Sequence, residues 1–158
     1  MLKEGIRVIT AEDIRWLRCD IKSVSLLPNT MLYQKAVEHG TGECILIRDG
    51  VVTEATHSSV FGIRDGTLFT HPLSNLILPG ITRAVVLEIC REHAIPCLEE
   101  PIANEVLARL DEVFLTGTGS EVMPVVQVNE TIIGNGEPGI LTRFLQERFF
   151  EKVKVECL

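Results

Sequence analysis

Residues 15–23 read Arg15-Trp16-Leu17-Arg18-Cys19-Asp20-Ile21-Lys22-Ser23, four charges and a tryptophan within nine positions. Alternation predicts a strand, with Leu17, Cys19 and Ile21 on a core face and Trp16, Arg18, Asp20 and Lys22 on the other. The second face gathers cations, a carboxylate and an aromatic ring, an unusual mix for a solvated edge. A lysine beside another cation and an apolar ring can have its ammonium pKa lowered, which makes its amine a nucleophile towards carbonyls. The plainer alternative is a charged edge strand that discourages aggregation. On this stretch alone both readings stand.

Working outward, Gly5 to Thr10 reads as a short apolar strand, and Ala11-Glu12-Asp13 as the turn into the charged stretch. Downstream, Thr30 is expected to cap a helix over Met31 to Glu38 that ends at Gly40. Two Asp-Gly pairs follow. Asp49-Gly50 joins strands over Glu43–Arg48 and Val51–Ala55, and Asp65-Gly66 joins Val60–Arg64 to Thr67–Thr70. Together they predict a β-meander. A loop from His71 to Gly80 precedes a helix from Ile81 to about His93, with Val85, Val86, Ile89 and Cys90 as its apolar stripe. Pro96–Glu100 reads as a strand, Ala103–Arg109 as a short helix and Val113–Thr116 as a buried strand. Pro124 interrupts a strand over Val122–Val128, which suggests an edge or a bend. A last helix carries Leu141, Phe144, Leu145 and Phe149. The pattern is mixed α/β, and its hairpins exclude an all-parallel sheet.

The 158 residues suit one domain with a core of its own, and 46% hydrophobic with 23% charged residues is ordinary globular composition. A net charge of −7 argues against a nucleic-acid or anionic-membrane surface. No apolar run reaches transmembrane length. The cysteines, Cys19, Cys44, Cys90, Cys97 and Cys157, are odd in number and scattered, with no secretory signal before them. Reduced thiols in a cytoplasm are the expectation.

Two glycine-rich turns carry chemistry. Pro79-Gly80-Ile81-Thr82 sets a glycine and a hydroxyl at a helix N-terminus, where free N–H groups and the helix dipole favour an anion such as phosphate. The alternative is a plain cap, with Thr82 satisfying its own helix. Thr116-Gly117-Thr118-Gly119-Ser120 follows a buried strand and offers hydroxyls and close backbone approach, or simply a tight turn. Glu54 interrupts an apolar strand, so its carboxylate needs a partner: a protonated ring nitrogen or a paired surface group. His57-Ser58-Ser59 reads as a solvated turn. Cys90, His93 and Cys97 approach metal spacing but give only three ligands, and no metal is expected. A candidate imine-forming lysine, two phosphate-holding turns and a carboxylate on another strand are what pyridoxal phosphate asks of a protein.

At this point a resemblance is evident. The chain resembles the class IV (fold-type IV) pyridoxal-phosphate aminotransferases, and within them the bacterial D-amino-acid group. The residues that carry it are 15–23 as quoted, Val52-Thr53-Glu54, Val60-Phe61-Gly62-Ile63 with Asp65-Gly66, Leu78 with Gly80-Ile81-Thr82-Arg83, and Thr116-Gly117-Thr118 through Glu121 and Pro124. It runs from about Gly5 to Phe150, with order and spacing intact. The resemblance implies a mixed, partly antiparallel sheet forming a pseudo-barrel with flanking helices. It implies pyridoxal 5'-phosphate as cofactor and Lys22 as the catalytic lysine. That lysine would bond the cofactor and move the proton between substrate Cα and cofactor C4′, its pKa lowered by the cofactor and Arg18. Glu54 would face the pyridine nitrogen, Leu78 would pack near the ring, and Ile81, Thr82 and Thr118 would hold the phosphate. The implied reaction moves an amino group from a D-amino acid to a 2-oxo acid.

The sequence also departs from the pattern. His57 stands where a small residue is expected, and Gly117 replaces a hydroxyl residue, so that Thr116-Gly117-Thr118 is similar to the branched-chain version. Full-length members are about twice as long. The resemblance therefore implies that residues 1–158 are a single cofactor-binding domain equivalent to the family's C-terminal half, with the N-terminal domain absent. Weak or no turnover by the chain alone, a homo-oligomer and possibly a separate N-terminal domain as partner are the corresponding expectations. Branched-chain aminotransferase and aminodeoxychorismate lyase share the implied fold and lysine, and a non-catalytic remnant that binds a partner is the reading from outside the enzymes.

Overall fold

The computed structural model describes residues 1–156, with side chains through residue 155, so Cys157 lies outside the described residues. Strand β1 (Ile6–Glu12) is followed by helix α1 (Leu27–Glu38) and the hairpin of β2 (Glu43–Arg48) and β3 (Val51–Ala55). A second hairpin, β4 (Ser59–Arg64) and β5 (Thr67–Thr70), leads to helix α2 (Ile81–Glu92), strand β6 (Cys97–Leu98) and helix α3 (Asn104–Leu107). Then come β7 (Glu112–Gly117), β8 (Glu121–Val128), β9 (Thr131–Ile132) and helix α4 (Ile140–Glu156). The nine strands form one curled mixed sheet in the order β3-β2-β1-β8-β7-β4-β5-β6, with β9 paired to β8. The expected mixed α/β half-barrel is what forms.

Both Asp-Gly turns behave as their composition dictates. Asp49 and Gly50 have φ of 51° and 78°, Asp65 and Gly66 of 50° and 73°. That left-handed pair matches the twist of the strands it joins. The expected meander does not form, because β1, β8 and β7 lie between the two hairpins. These three strands are apolar on both faces, for example Val8 and Ile9, or Val113, Phe114 and Leu115. They take the centre of the sheet, and the hairpins are displaced outward.

Alternation along the strands sorts the core into three layers. Val8, Ile45, Val60, Leu115 and Val125 fill the inside of the curl. On the outside, Ile9, Cys44 and Leu46 pack with Leu32 and Ala36 of α1. Phe61, Ile63 and Phe114 pack with Val86 and Ile89 of α2 and Leu145 and Phe149 of α4. Phe61 and Phe114, paired across β4 and β7, stack at 4.9 Å and 3°.

Four local expectations are corrected. Residues 15–23 are not a strand but a turn-rich connection from β1, itself running to Glu12, into α1. Leu17 and Ile21 are 58% and 44% exposed, and only Cys19 of the supposed core face is buried. The cause is electrostatic: the Arg15 guanidinium turns inward to buried carboxylates, and Arg18 pairs with Asp20 across a turn closed by Ile21 N–H on Arg18 O. Helix α1 starts one turn earlier than expected, with Pro28 in its first turn, where a missing N–H costs nothing. Thr30 does not cap it; its hydroxyl donates back to Leu26 O at 3.0 Å. Strand β8 is interior, not an edge. Pro124 lies one residue before Val125, where pairing with β1 begins, so its missing donor interrupts no described β1 pair. The regions around Pro96 and Ala103 keep only two and four residues of regular structure.

Candidate active site

The ends of β3, β4 and β7 open onto a cavity of about 680 Å³, roofed by residues 15–29 and by the start of α2. Lys22, Glu54, Leu78, Ile81, Thr82 and Thr118, drawn from four separate stretches of sequence, all line it.

Glu54 lies near the end of β3 and is buried, not a surface group. Oε1 accepts the Leu78 N–H at 2.8 Å and Oε2 accepts from Arg15 Nη1. The same guanidinium binds Asp13 through Nε and Nη2, at 2.9 and 2.8 Å, and reaches Leu76 O at 3.0 Å. Thr53 donates to Asp13 at 2.8 Å, and Arg48 lies 3.2 Å from it. Burial raises the pKa of Glu54, against the pull of Arg15 and the Leu78 N–H. Asp13 goes the other way. Burial opposes its charge, yet Arg15, Thr53 and Arg48 hold its carboxyl well below the usual carboxylate range. Two acids on one arginine are thus pushed apart. Sequence reasoning placed Glu54 but missed Arg15 and Asp13 as its supports. The available signal was that a carboxylate in an apolar strand demands a cation, and Arg15 was assigned to the wrong kind of element.

Lys22 is exposed on the roof and makes no hydrogen bond or ion pair among the described residues. Arg18, expected to act on Lys22, instead pairs with Asp20 at 2.9 Å. The two glycine-rich turns meet at the far wall. Gly80 is the extended N-cap residue of α2 and no side chain caps the helix, so the plain-cap reading of Thr82 does not hold. Thr82 is buried inside the first turn, and the N–H groups of Ile81, Thr82 and Arg83 have no acceptor among the described residues. Facing them, Thr118 is exposed at the end of β7, while Thr116 Oγ1 is buried without a partner. Free helix-end donors beside an orphaned hydroxyl suit an anion.

The His57–Ser59 turn is not wholly solvated, since Ser58 and Ser59 are buried. Only His57 reaches out. Its Nδ1 lies 2.9 Å from Thr56 Oγ1 and 3.5 Å from Glu43, and its ring meets Tyr33 edge-on at 4.9 Å. Away from the cavity, Cys90 is buried against α4, and the His93 ring packs on Phe144 at 5.0 Å. No group of three or more metal-ligating side chains gathers among the described residues. No described helix is long and apolar enough to cross a membrane.

Comparison with known proteins supplies a frame for this cavity. The family model described as amino-transferase class IV matches residues 2–128. The D-alanine aminotransferase of Bacillus licheniformis is 48% identical over 144 residues, covering 91% of this chain and 51% of that protein. That of Staphylococcus haemolyticus is 47% identical over 148 residues, covering 94% and 52%. Among solved structures, the branched-chain amino acid aminotransferase of Thermobaculum terrenum in its PLP-bound holo-form superposes with a TM-score of 0.89 at 26% identity, covering 96% of this chain and 52% of that one. The Escherichia coli branched-chain enzyme gives 0.84 at 30% identity, covering 95% and 52%. The chain spans about half the length of the relatives it matches.

Proposed function

This chain belongs to the class IV aminotransferases, and from that premise we propose that its cavity holds pyridoxal 5'-phosphate for transfer of an amino group from a D-amino acid to a 2-oxo acid. One observation carries the reading: a buried carboxylate, a lysine without a protein partner and a helix N-terminus without a cap converge on one cavity. The residues fit the group. A phosphate needs donors, and the first turn of α2 has three free N–H groups beside Thr82 and Thr118. A pyridine nitrogen needs an acceptor, and Glu54 is a buried one held in place by Arg15 and Leu78.

When bound, pyridoxal phosphate supplies an aldehyde for the amino group and a ring that takes up electrons from the substrate Cα. Lys22 would hold the cofactor through its amine and would accept and return a proton at the substrate Cα. Glu54, oriented by Arg15, would accept from the ring nitrogen. Leu78 would pack against the ring. Ile81, Thr82 and Thr118 would anchor the phosphate and so fix the cofactor's position relative to Lys22.

Residues 1–158 are, in this reading, the cofactor-binding half of such an enzyme. Exposed apolar side chains concentrate between Ile14 and Val37, among them Leu17, Val24, Leu27 and Met31. Such a patch suits a covered surface, so the working form is a homo-oligomer or a complex with the remaining half of the relatives' length. By itself the chain turns over D-alanine and 2-oxoglutarate weakly or not at all. A branched-chain substrate is the second reading, favoured by Thr116-Gly117-Thr118; D-alanine against L-leucine as amino donor separates the two.

The test is a borohydride trap. The chain is incubated with pyridoxal phosphate, reduced and digested. The expected result is a reduced cofactor adduct confined to the peptide carrying Lys22 and missing in Lys22→Ala. Label spread over the surface lysines, unchanged in the variant, would overturn the reading and leave the non-catalytic remnant in its place.

A further inference from the structure

The turn after β3 and the turn after β7 meet at Gly117. A Cβ added there would stand 2.9 Å from Ser120 Oγ, 3.1 Å from Ser58 Oγ and 3.1 Å from the His57 carbonyl oxygen. The volume that a side chain at 117 would fill is already held by two hydroxyls from other turns. They are hydrogen-bonded to each other at 2.9 Å across 62 residues of sequence, and either can donate. Two hydroxyls carry two protons, and the bond between them uses one. The other O–H has no acceptor among the described residues. Ser58 is 8% exposed and lies on the wall of the cavity, together with Gly117, Thr118 and the first turn of α2. When Ser120 is the donor, the spare O–H is that of buried Ser58, and it calls for an acceptor from outside the protein.

We propose that Ser58, oriented by Ser120 and admitted by the bare Cα of Gly117, is a further hydroxyl donor to the phosphate anion held at the start of α2. The proposal rests on the reading of this cavity as a phosphate site. In the bound arrangement Ser120 O–H donates to Ser58 Oγ, and Ser58 O–H donates to a phosphate oxygen. Donation from Ser120 polarises the Ser58 hydroxyl and strengthens its bond to the anion. Ser120 is a positioning residue and Ser58 a binding one.

The experiment measures the affinity of the whole chain for inorganic phosphate, from the rise in unfolding temperature with ligand concentration. Pyridoxal phosphate and pyridoxal are then compared by equilibrium titration. Ser58→Ala is expected to weaken phosphate and pyridoxal phosphate binding roughly tenfold, as loss of a bond to a charged group predicts, Ser120→Ala to weaken both by a smaller factor, about threefold, and both variants to leave pyridoxal binding unchanged. Ser120 sits on a half-buried turn, so its variant reports even if Ser58→Ala folds poorly. Unaltered phosphate affinity in Ser120→Ala would overturn the proposal. So would equal loss of pyridoxal and pyridoxal phosphate, or a parent chain indifferent to phosphate. Phosphate binding that depends on Ser58 in a chain that never attaches the cofactor to Lys22 would uphold this inference and overturn the proposed function.

Discussion

Arg15 and Glu54, 39 positions apart in the chain, form a buried ion pair at the cavity wall, and Arg15 gives further donors to Asp13 and to the Leu76 carbonyl. The arginine offsets the cost of burying two carboxylates. Arg15→Met keeps the volume and removes the counter-charge, so it is expected to cost about 3–5 kcal/mol, as breaking a buried pair does. Urea unfolding at neutral pH checks this. Adding Asp13→Asn and Glu54→Gln to Arg15→Met should restore much of the loss, because the charges that need Arg15 are then gone.

The same pair sets the acid behaviour. Asp13 is depressed in the fold, so its stabilisation is present above its ordinary value of 3.8 and is lost as pH falls through and below that region. Glu54 is raised, so its ionisation costs stability above its folded pKa, and acidification relieves that cost. Asp13→Asn is expected to be less stable than the parent by about 2 kcal/mol at neutral pH and to show a flatter loss as pH falls below about 4. Unfolding curves across that range decide it. An acid limb as steep in the variant as in the parent would be contrary.

Helix α4 has an acid from another element at its start. Glu112 of β7 accepts the N–H groups of Leu141 and Thr142 at 3.1 and 2.7 Å, and so satisfies donors at the positive end of the helix. Glu112→Ala is expected to cost roughly 1–2 kcal/mol, the range of a lost cap. The loss should appear first in hydrogen exchange of the α4 amides.

Thr82 offers a cleaner reading of the phosphate wall than the helix backbone does, because its hydroxyl can be removed without changing shape. Thr82→Val should weaken pyridoxal phosphate about tenfold while sparing pyridoxal. Fluorescence titration with each compound checks it, and a parallel loss of both would point to a change in packing.

How much of this was legible depended on whether the signal was local. The Asp49-Gly50 and Asp65-Gly66 hairpins, the α2 helix and the α4 stripe followed from short-range pattern, and their strands fell within a residue of expectation. The six residues expected at a site line one cavity: Lys22, Glu54 and the two glycine-rich turns drew attention by their own chemistry, while the place of Leu78 came only with the family resemblance. What failed was long-range. Nothing near Arg15 says that its guanidinium goes inward to Glu54, so alternation in residues 15–23 was mistaken for a strand. The order of strands was equally hidden, because apolar content on both faces of β1, β7 and β8 marks them as central only once the whole sheet is considered. Ser58 reads in sequence as part of a solvated turn and Ser120 as one hydroxyl of a glycine-rich turn; their pairing lies in the space above Gly117, which sequence does not display.

The parallel pairing of β1 with β8, Ile6 opposite Val125, has a consequence for the order in which the molecule comes into being. A ribosome has released the first strand long before its central neighbour exists. During synthesis β1 can pair with β2 before β8 exists, leaving one edge of an apolar strand bare until Glu121–Val128 has emerged. High contact order of this kind makes folding slow and holds sticky edges open. Closure of the sheet at its centre is therefore the step on which the rest of the fold waits.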